Sequence, residues 1–397
     1  MLSETDRAIV TSTVPLLEAG GEALITHFYA SMLAEHPEVR PYFNATHQAS
    51  GDQPRALANG VLTYARNIDR LAALGPLATQ IVNKHVALQI QPPHYAIVGT
   101  CLIRAIADVL GPEVATPEVL RAWTLAYGQL ADILIEAEGR RYDEQAAAAG
   151  GWRGERAFRI TARVRESAEI TSFHLAAADG QPVMDFLPGQ YIGMRLHVEG
   201  EELRRNYSLS APANGRSYRI SVKREPGGVV SNYLHDHRHV GDVLDLNAPS
   251  GAFTLAPGDR PIAMISGGVG ITPTLPLLHQ ALATGRRITF IHCARSGEVH
   301  AFREHIDALA DMHPQLTRRY CYEQAAVGHP APDRLGLLDA RALEDWLPPE
   351  ADGIRDIDAY FLGPKPFMRA MRGNLRRAGV PDAQVHYEFF GPATALQ

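Results

Sequence analysis

The sequence predicts three domains of different class: an all-helical (all-α) domain over residues 1–146, an antiparallel β-barrel over 147–256 and an α/β doubly wound domain over 257–397. Three observations carry this. Up to about residue 146, apolar residues recur at i, i+3 and i+4 without sustained alternation, and prolines from Pro37 to Pro117 punctuate the pattern. Past Ala146–Gly151 the period drops to two, with Gly and Pro turns between short runs. From about residue 257, strand-like runs alternate with helical ones, as in a parallel sheet with crossover helices. A chain of 397 residues also exceeds one ordinary core.

Hydrophobic residues at 46% and charged residues at 21% describe a folded globular chain. The formal charge is −6; residues 1–150 hold 10 Lys+Arg against 16 Asp+Glu and the rest balance at 28 each, which argues against nucleic acid as a partner. The start, MLSETDRAIV, has no basic segment followed by an apolar run, and no uncharged stretch approaches membrane-spanning length. A cytoplasmic protein without an integral membrane segment is expected. Cys101, Cys293 and Cys321 are widely spaced and suggest neither a disulfide framework nor a CxxC metal site. Lysine occurs only at Lys84, Lys223 and Lys365.

In the helical domain, ALITHFYASML forms one helix ending near His36–Pro37, with Leu24, Phe28 and Tyr29 on or beside its inner face. A short crossing follows at Pro41–Tyr42–Phe43. Asp52 is a good N-cap for the next helix, which aligns Gln53, Leu57 and Val61, with Pro54 in its first turn. In IVNKHVALQI, Ile81, His85 and Leu88 share a face, so the His85 imidazole needs a partner. Taken alone, His85 reads as a hydrogen-bonded core histidine before it reads as a metal ligand. Pro92–Pro93 then breaks the chain and Tyr95 falls in the first turn of another helix. In the last helix, Trp123, Tyr127, Leu130, Leu134 and Glu138 lie near one stripe, with Glu136 well off it. Glu138 is thus the acid expected inside, where a carboxylate must be paired.

These residues together resemble the globin domain of the flavohaemoglobins over its whole length. The resemblance implies that His85 is the axial metal ligand of a b-type haem and that Phe43 packs on the porphyrin. It implies that Tyr29 donates a hydrogen bond to oxygen on the distal side, where Gln53 and Leu57 line the pocket. Tyr95 and Glu138 form the proximal support, and Lys84 tunes the haem and flavin potentials. A carboxylate accepting the second N–H of His85 makes the imidazole a stronger electron donor, favouring oxygen activation over reversible storage. His27, His36, His47 and His94 are competing ligands that match no family position, and His94, at a helix start, is expected to be exposed.

In the second domain, alternation over Phe158–Val164, Ile170–Leu175, Tyr191–Val198, Tyr218–Lys223 and Val243–Leu246 marks strands. Arg205-Asn206-Tyr207-Ser208 sets a cation, an aromatic face and a hydroxyl on one strand, suited to a pyrophosphate, a flat ring and a ring nitrogen. Gly227-Gly228-Val229-Val230-Ser231-Asn232 lets backbone approach phosphate and leads into a helix that Ser231 can cap. Pro188-Gly189-Gln190-Tyr191 adds a turn and another ring. This resembles the flavin barrel of the ferredoxin reductases and implies FAD on Tyr191, Arg205, Asn206, Tyr207, Ser208, Gly227, Gly228 and Ser231.

In the third domain, Ser266-Gly267-Gly268-Val269-Gly270-Ile271-Thr272-Pro273 joins the first strand to its helix. Its glycines admit a pyrophosphate, Thr272 can cap and Pro273 suits the first turn. It is neither the Rossmann G-x-G-x-x-G nor a P-loop. It looks like the pyridine-dinucleotide turn of the same reductases, supported by His292-Cys293-Ala294-Arg295, His300-Ala301-Phe302 and Gly363-Pro364. NADH or NADPH is implied, and Arg295-Ser296 can accept a 2′-phosphate. The end, Glu388-Phe389-Phe390-Gly391-Pro392, resembles the strand that closes over the flavin. Leu362 and Phe389 stand where the family commonly has cysteine, so nicotinamide positioning and hydride transfer are expected to differ.

By resemblance, then, the chain is a nitric oxide dioxygenase passing electrons from NAD(P)H through FAD to haem b. Oxygen, nitric oxide and NAD(P)H are its implied partners, with a bound lipid admissible and a monomer expected. The alternatives are a hydroperoxide reductase or diaphorase, and a sensor binding oxygen or nitric oxide.

Overall fold

The computed structural model of the chain describes residues 2–43 and 52–391, without the side chains of Glu22 and residues 52–54. The described chain divides into two compact units. The first holds residues 2–148 with the short stretches Glu199–Arg204 and Gly391; the second holds the remainder.

The first unit is helical: α1 (Glu4–Ala19), α2 (Gly21–Glu35), α3 (Asp52–Arg66), α4 (Gly75–Leu88), α5 (Pro92–Leu110) and α6 (Pro117–Ala147), with 3-10 turns at Pro37–Tyr42 and Leu71–Leu74. The local causes are plain. Ser3 accepts from the Asp6 amide while Asp6 accepts from the Ser3 amide, a reciprocal cap on α1. Thr116 caps α6 ahead of a proline in the first turn. The core is closed by Trp123 and Tyr64, both about fully buried. Each keeps its polar end satisfied: Trp123 Nε1 donates to Thr13 Oγ1 at 2.9 Å and Tyr64 Oη to Gln129 Oε1 at 2.7 Å. Helix α5 is long and apolar enough to cross a membrane, yet its face of Tyr95, Gly99, Cys101, Leu102, Ala105 and Ile106 is buried in this core.

Two six-stranded sheets follow, belonging to the second unit except for the first half of β4, Glu201–Arg204. The first comprises β1 (Arg156–Arg165), β2 (Ile170–Ala177), β3 (Tyr191–Val198), β4 (Glu201–Ser208), β5 (Ser217–Lys223) and β6 (Val243–Leu246), in the order β4-β3-β6-β1-β2-β5, with α7 (Val229–His237) between β5 and β6. Just after β4, Leu209 bridges to Ile220 and the Ser210 amide donates to Arg219 O at 2.8 Å, tying the chain from one edge of the sheet to β5 at the other. The alternation expected through Val164 holds only as far as Ile160. A register shift between Ile160 and Ala162 turns the end of β1 over and leaves Val164 exposed.

The second sheet is wholly parallel: β7 (Ile262–Gly267), β8 (Ile288–Ala294), β9 (Leu316–Tyr322), β10 (Arg334–Leu335), β11 (Asp358–Leu362) and β12 (Val385–Tyr387), in the order β10-β9-β8-β7-β11-β12. Helices α8 (Ile271–Ala283), α9 (Arg303–Met312), α10 (Ala340–Trp346) and α11 (Lys365–Arg377) connect it. β7 is buried on both faces, as a central parallel strand must be. The strand order reverses between β7 and β11, and a crevice beyond the carboxyl ends of those two strands is where such sheets bind ligands.

Candidate functional site

His85 sits in the last turn of α4. The helix ends where Gln89 turns left-handed at φ 62°, and the Ile90 amide returns to His85 O at 3.0 Å. Tyr142 Oη on α6 donates to Ile90 O at 2.8 Å, which fixes this corner. α5 packs closely on α6 because Gly99 has no side chain: a Cβ there would stand 2.5 Å from the Tyr127 ring. Tyr127 Oη in turn donates to Tyr95 O at 3.0 Å. Neither the Gly99 contact nor the Gln89 turn was apparent from sequence, because both depend on tertiary neighbours.

That frame brings three of the expected residues together. His85 Nδ1 is 2.8 Å from Glu138 Oε1, Tyr95 Oη donates to the same oxygen at 2.6 Å, and His85 Nδ1 lies 2.9 Å from Tyr95 Oη. Glu138 is 2% exposed, whereas Glu136 pairs with Arg140 at the surface, as the helical phase required. Since the carboxylate accepts from both neighbours, the hydrogen sits on Nδ1 and the Nε2 lone pair of His85 is left without a protein partner among the described residues. Burial, then the charge of Glu138, pushes the Tyr95 hydroxyl far above its usual range, so it stays a donor. A neutral histidine held at Nδ1 with its Nε2 free is the donor set an axial haem ligand requires.

Tyr29 and Phe43 form a second cluster. Tyr29 is 5% exposed and packs edge-on against Phe28 and Phe43, at 4.8 and 5.5 Å between ring centroids. Leu57 on α3 lines an apolar cavity of about 30 Å³ with Leu24, Val61, Leu102, Ile106 and Trp123. The side chains of Gln53 and Asp52, and His47, lie outside the described residues. Lys84 Nζ donates to the Gly391 carbonyl. His94 is not exposed as expected: it is half-buried, tilted on the Tyr42 ring at 4.4 Å, and its Nδ1 accepts from the Gln91 amide at 3.0 Å in a cap. His27 and His36 are engaged with Asp108 and Glu38.

Along β4, strand pleating puts Arg205 and Tyr207 on one face and Asn206 and Ser208 on the other, so the four residues do not act as a single surface. Asn206 is exposed; Arg205 is half-buried, and burial lowers its guanidinium pKa. Among the described residues the buried Tyr191 hydroxyl has no hydrogen-bond partner, and burial followed by the charge of Glu388 raises its pKa well above the ordinary value. An orphaned buried polar atom fits a ligand such as a flavin. Ser231 does not cap α7. Gly228 is the cap residue, and Ser231 Oγ instead accepts from the Glu225 amide at 3.2 Å, bracing the loop of Gly227 and Gly228. The free amides of that helix start remain available to phosphate.

At the switch point, a Cβ on Gly270 would stand 2.3 Å from Leu362 O, while Gly268, at φ 53°, faces open space. The turn Gly268-Val269-Gly270 thus lies close against the end of β11 and keeps room for a pyrophosphate. Thr272 does not cap α8. Its Oγ1 donates back to Val269 O at 3.0 Å, and the following Ile271, Thr272 and Pro273 are buried. Gly270→Ala is expected to raise the KM for NADH about tenfold or more with a stability loss of about 1–3 kcal/mol, since backbone must move to admit the methyl group. Steady-state ferricyanide reduction and denaturant unfolding check this. Arg295 is engaged with Glu169. Leu362 is buried in the core of this sheet, where its bulk is accommodated. Phe389 is 7% exposed and edge-on to Tyr387 at 5.8 Å, while Phe390 is half exposed. Pro392 lies outside the described residues.

Comparison with known proteins matches three families along the chain: globin over residues 26–134, oxidoreductase FAD-binding domain over 157–255 and oxidoreductase NAD-binding domain over 264–373. Curated flavohemoproteins of Pseudomonas putida and Pseudomonas aeruginosa are 62% and 61% identical, each over all of this chain and all of their own length. The crystal structure of a flavohemoglobin from Malassezia yamatoensis, with bound FAD and heme, superposes with a TM-score of 0.85 at 26% identity, covering 98% of this chain and all of that one. The FAD/NAD-binding domain of a nitric oxide dioxygenase from Vibrio cholerae covers 60% of this chain at 36% identity, with a TM-score of 0.54. With three matching domain families along the chain and full-length relatives at this identity, the chain belongs to the flavohemoprotein family.

Proposed function

We propose that the protein is a cytoplasmic nitric oxide dioxygenase, converting nitric oxide and oxygen to nitrate with electrons from NADH or NADPH. The observation that carries this reading is the His85–Glu138–Tyr95 arrangement, whose buried carboxylate serves no evident purpose in a reversible carrier. The Vibrio cholerae relative, itself named a nitric oxide dioxygenase, supports it. When bound, the dinucleotide, flavin and haem supply hydride, one-electron and oxygen chemistry respectively.

The residues have separable tasks. His85 Nε2 would hold the haem iron. Glu138 keeps the Nδ1 proton in place and raises the electron donation of the ring, while Tyr95 fixes the carboxylate so that it cannot turn away. Tyr29, edge-on to the Phe28 and Phe43 rings, would donate its hydroxyl to the bound oxygen, and Leu57 and Gln53 would line the same pocket. The glycine-lined turns at Gly227 and Gly268 would offer backbone amides to the phosphates, and Tyr191 and Tyr207 would hold the flavin.

Replacing Tyr29 by Phe is expected to lower nitric oxide consumption about 10- to 100-fold, the worth of a hydrogen bond to a charged acceptor of about 1.5–3 kcal/mol. NADH-driven flavin reduction in the same variant stays unchanged. Equal loss of both rates would remove Tyr29 from the distal role. Consumption of hydroperoxide in place of nitric oxide would assign the hydroperoxide reductase activity instead.

A further inference from the structure

Two of the three cysteines, far apart in sequence, meet in the fold. β8 and β9 are parallel neighbours, and Cys293 stands directly opposite Cys321 in their register. Opposed residues on adjacent strands project to the same face with backbones about 4.8 Å apart. That lies within the span of about 4.4–6.8 Å that a disulfide bridges. The thiols lie close enough to shift one another's acidity, and Cys321 Sγ donates to Gly336 O at 3.1 Å. Cys293 is half-buried and reachable from solvent, whereas Cys321 is 2% exposed behind it. Each is the penultimate residue of its strand, so the pair sits at the carboxyl edge of the sheet, with Arg295-Ser296 following closely after Cys293.

We propose that Cys293 and Cys321 form an oxidant-sensing dithiol that closes to a cross-strand disulfide and, by drawing the ends of β8 and β9 together, weakens binding of the dinucleotide. The effect on binding rests on the dinucleotide occupying this sheet edge; the disulfide itself does not. The oxidant is a hydroperoxide. Hydrogen peroxide, entering past the less buried Cys293, converts the Cys321 thiolate to a sulfenic acid and releases water; the Cys293 sulfur then attacks the sulfenic sulfur, forming the S–S bond and releasing a second water. The two thiols lose two electrons and two hydrogens, and the peroxide takes both. Cys293 and the nearby Arg334 lower the pKa of Cys321, which makes it the sulfur that meets the peroxide, while Cys321 and burial push the Cys293 thiol up. A thiol reductant reverses the bond.

The test uses the reduced holoenzyme, treated with hydrogen peroxide, quenched with catalase and desalted. Titratable thiols in denaturant are expected to fall from three to one, and peptide mapping to recover a Cys293–Cys321 cross-link. The KM for NADH, with ferricyanide as acceptor, rises roughly fivefold, the lower end of ordinary coupling between sites, and returns with dithiothreitol. Cys293→Ser and Cys321→Ser abolish both effects, and Cys101→Ser keeps both. Three thiols surviving treatment would overturn the dithiol. A cross-link without a change in KM, or the same rise in KM in the Cys293→Ser variant, would overturn the switch. If NADH fails to reduce the untreated holoenzyme, the dinucleotide reading falls and takes the effect on binding with it, while the cross-link is still read independently.

Discussion

His85→Ala is expected to yield protein that retains flavin but not haem, with nitric oxide consumption lowered at least about 100-fold, beyond the range ordinarily lost when only a supporting residue of a metal ligand is removed. NADH-to-ferricyanide reduction is expected to be unchanged, because the hydrogen-bond partners of this imidazole, Tyr95 and Glu138, both belong to the first unit. Glu138→Gln is the sharper companion. The amide retains the size of the carboxylate but removes its charge, and only one of its two polar ends can still accept from both His85 Nδ1 and Tyr95 Oη. Nitric oxide turnover is expected to fall about 10- to 100-fold and the haem midpoint potential to rise, since a less anionic imidazole no longer favours ferric iron. Spectroelectrochemistry reads the potential and a nitric oxide electrode the rate. An unchanged potential in Glu138→Gln would mean that the carboxylate only fills space.

Arg286→Met is expected to be the most damaging single change to the second unit. Arg286 and Asp358 form an ion pair with both side chains 3% exposed, and Arg286 also donates to the carbonyls of Arg260 and of Ala256, the latter at 3.2 Å. Asp358 opens β11 and Arg286 lies just ahead of β8, so the pair joins the strands that flank β7. Removing the guanidinium strands a buried carboxylate, which the half-exposed Arg260 reaches only at 3.6 Å. A loss of about 3–5 kcal/mol follows, a large share of the net stability of an ordinary domain. The denaturant midpoint of the second unit, followed by flavin fluorescence, should fall, while the Soret band of the helical unit persists. A loss under about 1 kcal/mol would show that Arg260 and water replace the partner.

How far sequence foretold these sites depended on whether the cause was local. Glu138 was separable from Glu136 by helical phase alone, and the three-part architecture followed from changes in period. The glycine-lined turns were located by composition, yet Ser231 and Thr272 were misread as caps. Each helix there starts at a glycine, and the hydroxyls were drawn to nearer backbone groups. The outward turn of Val164 follows a bulge no alternation reveals. His94 is sheltered by Tyr42, a neighbour supplied by tertiary packing. The meeting of Cys293 and Cys321 is a matter of strand register between distant segments, which spacing in sequence does not encode.

The most direct test of the central claim is nitrate yield. Purified protein carrying haem and flavin, reduced with NADH and given nitric oxide in air, should form nitrate equal to the nitric oxide consumed, with the Soret band shifting on reduction. Nitric oxide that disappears without nitrate, or a protein that binds flavin but takes up no haem at His85, would contradict the account.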